Sequence, residues 1–199
     1  MKIEELISLA DFLQDFSNIK RSVRIKDHPD LENDAEHSYI LAISSWYIAE
    51  KLHLEVNKER LFEYALAHDL VEVYAGDTDP NNSSIEHIAS KSEREKAALV
   101  KIQNRFPDFH SLHKAIENYE ELKDTESQVV YLTDKILPVI NTYLSKDSYY
   151  RDSGVSFEKW KSWIESKMDV AKLNQPGFVD LIQQLSDFLE KKRGMFNSG

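Results

Sequence analysis

The chain has 199 residues, 41% apolar and 30% charged, with a formal net charge of −10 and no cysteine. That length holds one domain with a substantial core, and the missing cysteines exclude disulfides, thiol nucleophiles and Cys-ligated zinc, as fits a cytoplasmic protein. The acidic balance offers no broad field for a nucleic-acid polymer, no run of 18 apolar residues is present to span a membrane, and the acidic opening MKIEELISLADFL is unlike a secretory leader.

Five glycines and five prolines leave little material for hairpins, and no alternating run is long enough for a convincing strand. The period is helical. A first helix is expected at 2–17. It is followed by Lys20, Arg21, Arg24 and Lys26 within seven residues, either a local patch for a small anion or the cationic end of a helix. The second helix, 35–53, starts after Asn33/Asp34 and carries His37 beside a stripe of Ile40, Leu41, Tyr47 and Ile48, which turns the imidazole inward.

The third, 58–75, starts after Asn57 and contains ALAHDLVEVYAGD. At about 100° per residue His68 and Asp69 are neighbours, and Glu72 lies about 40° from His68. Phe62, Leu66, Leu70 and Val73 form a separate packed side. The polar stretch GDTDPNNSSIEHIAS, 76–90, is the longest connection, and long connections are often functional.

Helices at 91–106 and 108–120 are divided by Pro107. The helix at 126–145, signalled by Thr125-x-x-Gln128, sets Asp134 among Val130, Tyr131, Leu137 and Pro138, so packing carries its carboxylate inward. Pro138 cannot donate to the carbonyl of residue 134, so a kink is expected there. Helices at 157–171, after Ser156, and 176–192, opened by Pro176-Gly177, end the series; Trp160 and Trp163 read as core or dimer-interface residues.

Three helices thus bring His37, His68 with Asp69, and Asp134 inward. Ionised groups are expensive to bury unless paired or bound to a metal. Two imidazoles and two carboxylates form a good set for a divalent ion. An ion so held acidifies water for attack on phosphorus. Glu72 stands one turn on to orient or deprotonate that water, with Asp77 in the following loop. An arginine fork matches phosphate better than lysine does, which favours Arg21 or Arg24 over Lys20 and Lys26.

The ordered pattern His37…His68-Asp69…Asp134 on an all-α chain resembles the HD superfamily of metal-dependent phosphohydrolases. Glu36-His37-Ser38, His68-Asp69-x-x-Glu72 and Gly76-Asp77 followed by Pro80 are similar to the branch of bacterial 5′-deoxynucleotidases and their eukaryotic HD-domain relatives. The likeness covers roughly residues 1–145.

It implies an all-α, single-domain helical bundle over 1–199, with the metal-site core at about 20–145 and C-terminal helices 155–192 packed on it. It further implies a homodimer, one divalent ion (Mn, Co, Mg, Fe or Zn) on His37, His68, Asp69 and Asp134, and a small nucleotide substrate that loses its 5′-phosphate. Glu72 and Asp77 would stand beside that phosphate, held by an upstream arginine that is Arg21 or Arg24. Members of the branch follow their arginine with tryptophan, where this chain has Ser22 or Ile25, so the sugar preference stays open.

Alternatives are a dinuclear HD protein that recruits His87, His110 and His113 for phosphodiester or oxygenase chemistry, a hydrolase of larger nucleotides, and a non-catalytic helical binding module.

Overall fold

The computed structural model describes residues 2–173 and 175–198, and helices account for most of them. In chain order the elements are α1 (Ile3–Asn18), β1 (Lys20–Arg24), β2 (Leu31–Asn33), α2 (Asp34–Lys51), α3 (Lys58–Ala67), α4 (Glu72–Ala75), α5 (Ile85–Ala89), α6 (Lys91–Arg105), α7 (His110–Glu121), α8 (Thr125–Ser145), α9 (Tyr149–Asp152), α10 (Phe157–Val170) and α11 (Pro176–Glu190). A short 3₁₀ turn at Arg193–Met195 follows. Among the described residues no helix is long and apolar enough to cross a membrane.

The expected start signals act at three helices. Asn33 and Glu36 form a reciprocal capping box at α2, Asn57 accepts from the Arg60 amide at α3, and Ser156 accepts from the Lys159 amide at α10. At α8 the cap is Asp124, one residue before the expected Thr125; its carboxylate accepts from the Ser127 amide at 2.8 Å. Pro138 lies inside α8, which runs unbroken through it.

Three departures from the sequence reading shape the site. The cationic stretch after α1 is a strand: β1 pairs antiparallel with β2, Lys20 opposite Asn33 and Arg24 opposite Leu31, with an irregularity between. Five residues with one buried side chain, Val23, leave no alternation to detect. Second, the helix expected over 58–75 stops at Ala67. The chain tightens through i→i+3 hydrogen bonds, Leu70 N–H to Ala67 and Glu72 N–H to Asp69, before α4 begins.

Third, the polar stretch 76–90 contains α5 and is clamped by Arg94. Its guanidinium donates to the Thr78 hydroxyl at 2.7 Å, to the His87 carbonyl at 3.1 Å and to the Ala75 carbonyl. Gly76 takes φ +74° where α4 turns into this stretch, a conformation that favours glycine.

The buried face of α2 consists of Asp34, His37, Ser38, Leu41, Ala42, Ser45 and Ala49. Tyr47, expected on the stripe, is exposed, and so is Leu66 of α3. Small residues on α2 replace larger ones because that helix packs against both α3 and α8. The core continues through Leu61, Val129, Val130 and Val139 and ends in an aromatic cluster. There Phe196, from the tail after α11, meets Tyr150, Phe157 and Trp160 at ring separations of 5.4, 5.7 and 6.1 Å.

Candidate active site

His37 projects from the first turn of α2, His68 and Asp69 from the tight turn after α3, and Asp134 from the middle of α8. Their donor atoms all lie within 4.8 Å of one another. His37 Nε2 is 3.0 Å from Asp134 Oδ1, and His68 Nε2 is 2.9 Å from Asp69 Oδ2. The second approach lacks hydrogen-bond geometry, which leaves His68 Nε2 buried without a partner. His68 Nδ1 lies 3.1 Å from the Ala65 carbonyl; a proton there leaves the Nε2 lone pair facing the cluster.

Behind His37, Glu32 places Oε2 3.4 Å from Nδ1 and accepts from Asn141 at 3.0 Å through Oε1. A carboxylate behind an imidazole is the usual support for a metal-binding histidine. With an orphaned ring nitrogen, converging N and O donors and this support, the residues fit a divalent ion.

The charges around the cluster are unbalanced. Burial would raise the Asp69 and Asp134 carboxyls, but His68 and Arg21 hold the first, and Lys135 and His37 the second, well below the usual range. Glu72 goes the other way: burial pushes its carboxyl well up, and the charges of Asp69, Asp77 and Asp34 add to that. Asp34, fully buried, is pushed up to about 7 by burial and by Asp69. Asp77 is raised by burial and Asp69, against the pull of Arg21. Asp34, Asp69 and Glu72 form a second group of close oxygen donors. Arg21 reaches into it, with Nη1 2.7 Å from Asp69 Oδ2 and 3.5 Å from Asp34 Oδ1.

Above this floor opens a cleft of about 330 Å³. Arg21, Asp69, Glu72, Asp77 and Asp134 line it together. Arg24, the other arginine considered, points elsewhere, to Asp147 at 2.9 Å and the Pro29 carbonyl at 3.0 Å. Neither group of close donor atoms includes His87, His110 or His113.

Sequence reasoning did not single out Glu32, Asp34, Lys91 or Lys135. Lys135 follows Asp134 and its Nζ meets that carboxylate at 2.5 Å; Lys91, at the start of α6, also lines the cleft. Asp34 and Glu32 resemble ordinary acids at a helix start until the β1–β2 hairpin is seen to bury them. Tyr149 donates to Asp79 at 2.7 Å and accepts from Asn81 at 3.0 Å, tying α9 to the loop after α4 at the lip.

A model of the HD domain matches residues 14–174. The chain is 32% identical over 116 residues to a Danio rerio protein described as 5′-deoxynucleotidase HDDC2, a match covering 56% of this chain and about half (54%) of that protein. It is 25% identical over 184 residues to the Homo sapiens protein of the same description, covering 89% of this chain and 84% of that one. Among solved structures, a predicted metal-dependent phosphohydrolase from Magnetospirillum magnetotacticum superposes with a TM-score of 0.77 at 22% identity, covering 97% of this chain and 98% of that one. At that identity the likeness concerns the fold.

Proposed function

The chain belongs to the HD-domain family, and from that premise we propose that it is a metal-dependent phosphohydrolase acting as a 5′-nucleotidase on (deoxy)nucleoside 5′-monophosphates. The observation that carries this reading is the convergence of His37, His68, Asp69 and Asp134 within 4.8 Å, with Asp69 and Asp134 lining a cleft that also holds Arg21, Glu72 and Asp77. The relatives described as 5′-deoxynucleotidases support the substrate class.

In this reading those four residues hold one divalent ion, which when bound supplies Lewis acidity toward phosphoryl oxygen and lowers the pKa of water. Arg21 provides positive charge between Asp34 and Asp69, which favours one ion over two in this reading. Its guanidinium also lines the cleft and binds the phosphate as a fork. Hydrolysis forms a bond from a water oxygen to phosphorus and breaks the bond from phosphorus to the 5′-oxygen. Glu72, which lines the cleft, takes the water proton on its carboxylate. Asp77, at the start of the loop after α4, returns a proton to the departing 5′-oxygen.

The test is phosphate release from a panel of ribo- and deoxyribonucleoside 5′-monophosphates, using protein stripped of metal and reloaded with Mn²⁺, Co²⁺ or Mg²⁺. Turnover that needs the metal and vanishes in Asp69→Asn is expected. Inert monophosphates with metal still bound would overturn the nucleotidase reading, and the panel also decides the sugar preference.

A further inference from the structure

The four close donors lie between residues 37 and 134, yet a wall of the cleft comes from α10, further along the chain. Lys159, Trp160, Trp163 and Lys167 all line it. Their spacing keeps them within about 100° of arc on one helix face. This wall differs in chemistry from the acidic floor.

Trp163 is half-buried, with the Lys167 ammonium 5.7 Å from its ring centroid. Trp160 is 2% exposed and held against Phe157 and Phe196, while its Nε1–H, the ring's one polar group, has no acceptor in the protein. The Lys167 ammonium is shifted down by burial and by Lys135 and Lys91, which line the same cleft.

A phosphate or a bare sugar phosphate has no use for such a wall, since Arg21 and the floor already provide for its anion. A flat heteroaromatic ring can stack on the part of the Trp163 indole that lines the cleft. The volume of about 330 Å³ is at the small-ligand end of pocket sizes. We propose that α10 is the base-recognition wall of the cleft, with Trp163 stacking on the nucleobase of a nucleoside 5′-monophosphate and Trp160, packed behind it on the same helix face, holding the wall in place. The proposal deepens the nucleotidase reading and rests on it for the phosphate end only.

Two readouts test it on the metal-loaded protein. The first is quenching of tryptophan fluorescence by a nucleoside, which has no phosphate to lose, with ribose as the control. Saturable quenching by the nucleoside and none by ribose is expected, and Trp163→Phe should weaken it. The second is the ratio of kcat/KM for a nucleoside 5′-monophosphate to that for ribose 5-phosphate. Stacking of the usual strength predicts that Trp163→Ala lowers this ratio about 5- to 150-fold, mainly through KM, with partial recovery in Trp163→Phe.

Trp46→Phe, altered on α2 where the indole packs edge-on against Phe62 at 5.6 Å, should change neither readout. An unchanged ratio in folded Trp163→Ala and Trp163→Phe, or nucleoside quenching no different from that by ribose, overturns the wall while nucleotidase turnover stands. Saturable, Trp163-dependent quenching without turnover of any monophosphate supports the wall and overturns the nucleotidase reading instead.

Discussion

Two buried clusters in this chain are built on opposite terms. Around α2, the turn after α3, and α8, five carboxyls (Glu32, Asp34, Asp69, Glu72 and Asp134) are set against Arg21 and Lys135. Glu32 Oε2, Asp34 Oδ2, His37 Nδ1, His68 Nε2 and Glu72 Oε2 lack hydrogen-bond partners. Each such atom costs about 1–3 kcal/mol. At the other end Tyr150, Phe157, Trp160 and Phe196 contact one another through their rings, and pairs of this kind add about 0.5–1.5 kcal/mol each beyond the area they bury. The aromatic cluster leaves one such unpartnered atom, Trp160 Nε1, and contributes to stability through its ring contacts. The polar one is incomplete without a ligand, and its Asp34 and Glu72 carboxyls are raised first by burial and then by the acids around them.

The comparison is sharpened most by Glu72→Gln. Turnover should fall about 100- to 10,000-fold, while the rise in melting temperature on adding Mn²⁺ persists, since the four close donors His37, His68, Asp69 and Asp134 remain. Loss of that rise would make Glu72 a metal ligand instead. Next comes Phe196→Ala, expected to lower unfolding free energy by about 3–5 kcal/mol in urea. A loss below 1 kcal/mol would show that the aromatic cluster is not a stability element.

A smaller effect is expected at Asp124, which joins the helix cap to the Tyr64 hydroxyl at 2.8 Å. Asp124→Ala should cost about 1–2 kcal/mol at pH 7. Burial would raise the Asp124 carboxyl, but Ser127 and Tyr64 hold it below its ordinary value. Its stabilisation is therefore complete above the unfolded pKa of about 3.9 and is lost as pH falls through the lower folded value. The gap between wild type and variant, followed by denaturation at several pH values, should narrow below about pH 4. Smallest is Arg24→Ala, which removes a half-exposed ion pair worth about 0–1 kcal/mol. It should leave KM for a monophosphate nearly unchanged, whereas Arg21→Ala should raise it; equal effects would remove the distinction between the two arginines.

Much of this was legible in the residues. His37 and Asp134 sit among apolar neighbours at helical spacing, and both are buried. The same method misplaces Tyr47 and Leu66, because small residues share the packed faces: Ala42, Ser45 and Ala49 on α2, and Ala65 and Ala67 beside Leu61 and Tyr64 on α3. It treated His68, Asp69 and Glu72 as points on a helix, whereas the backbone between them is a tight turn. The angular arithmetic does not apply there, and it is the fold around that turn that turns His68 toward Asp69.

The sequence by itself determined the helical class, the four-residue donor set and its family, because hydrophobic period and residue chemistry are local properties of the chain. Only the tertiary structure set Arg21 in the cleft and Arg24 outside it, buried Glu32 of β2 and Asp34 at the start of α2, and carried Trp160 and Trp163 to the cleft. Those outcomes depend on which surfaces meet across 30 to 130 residues of chain, as when Arg21 reaches Asp69 and Asp134. A one-dimensional pattern does not encode such distances.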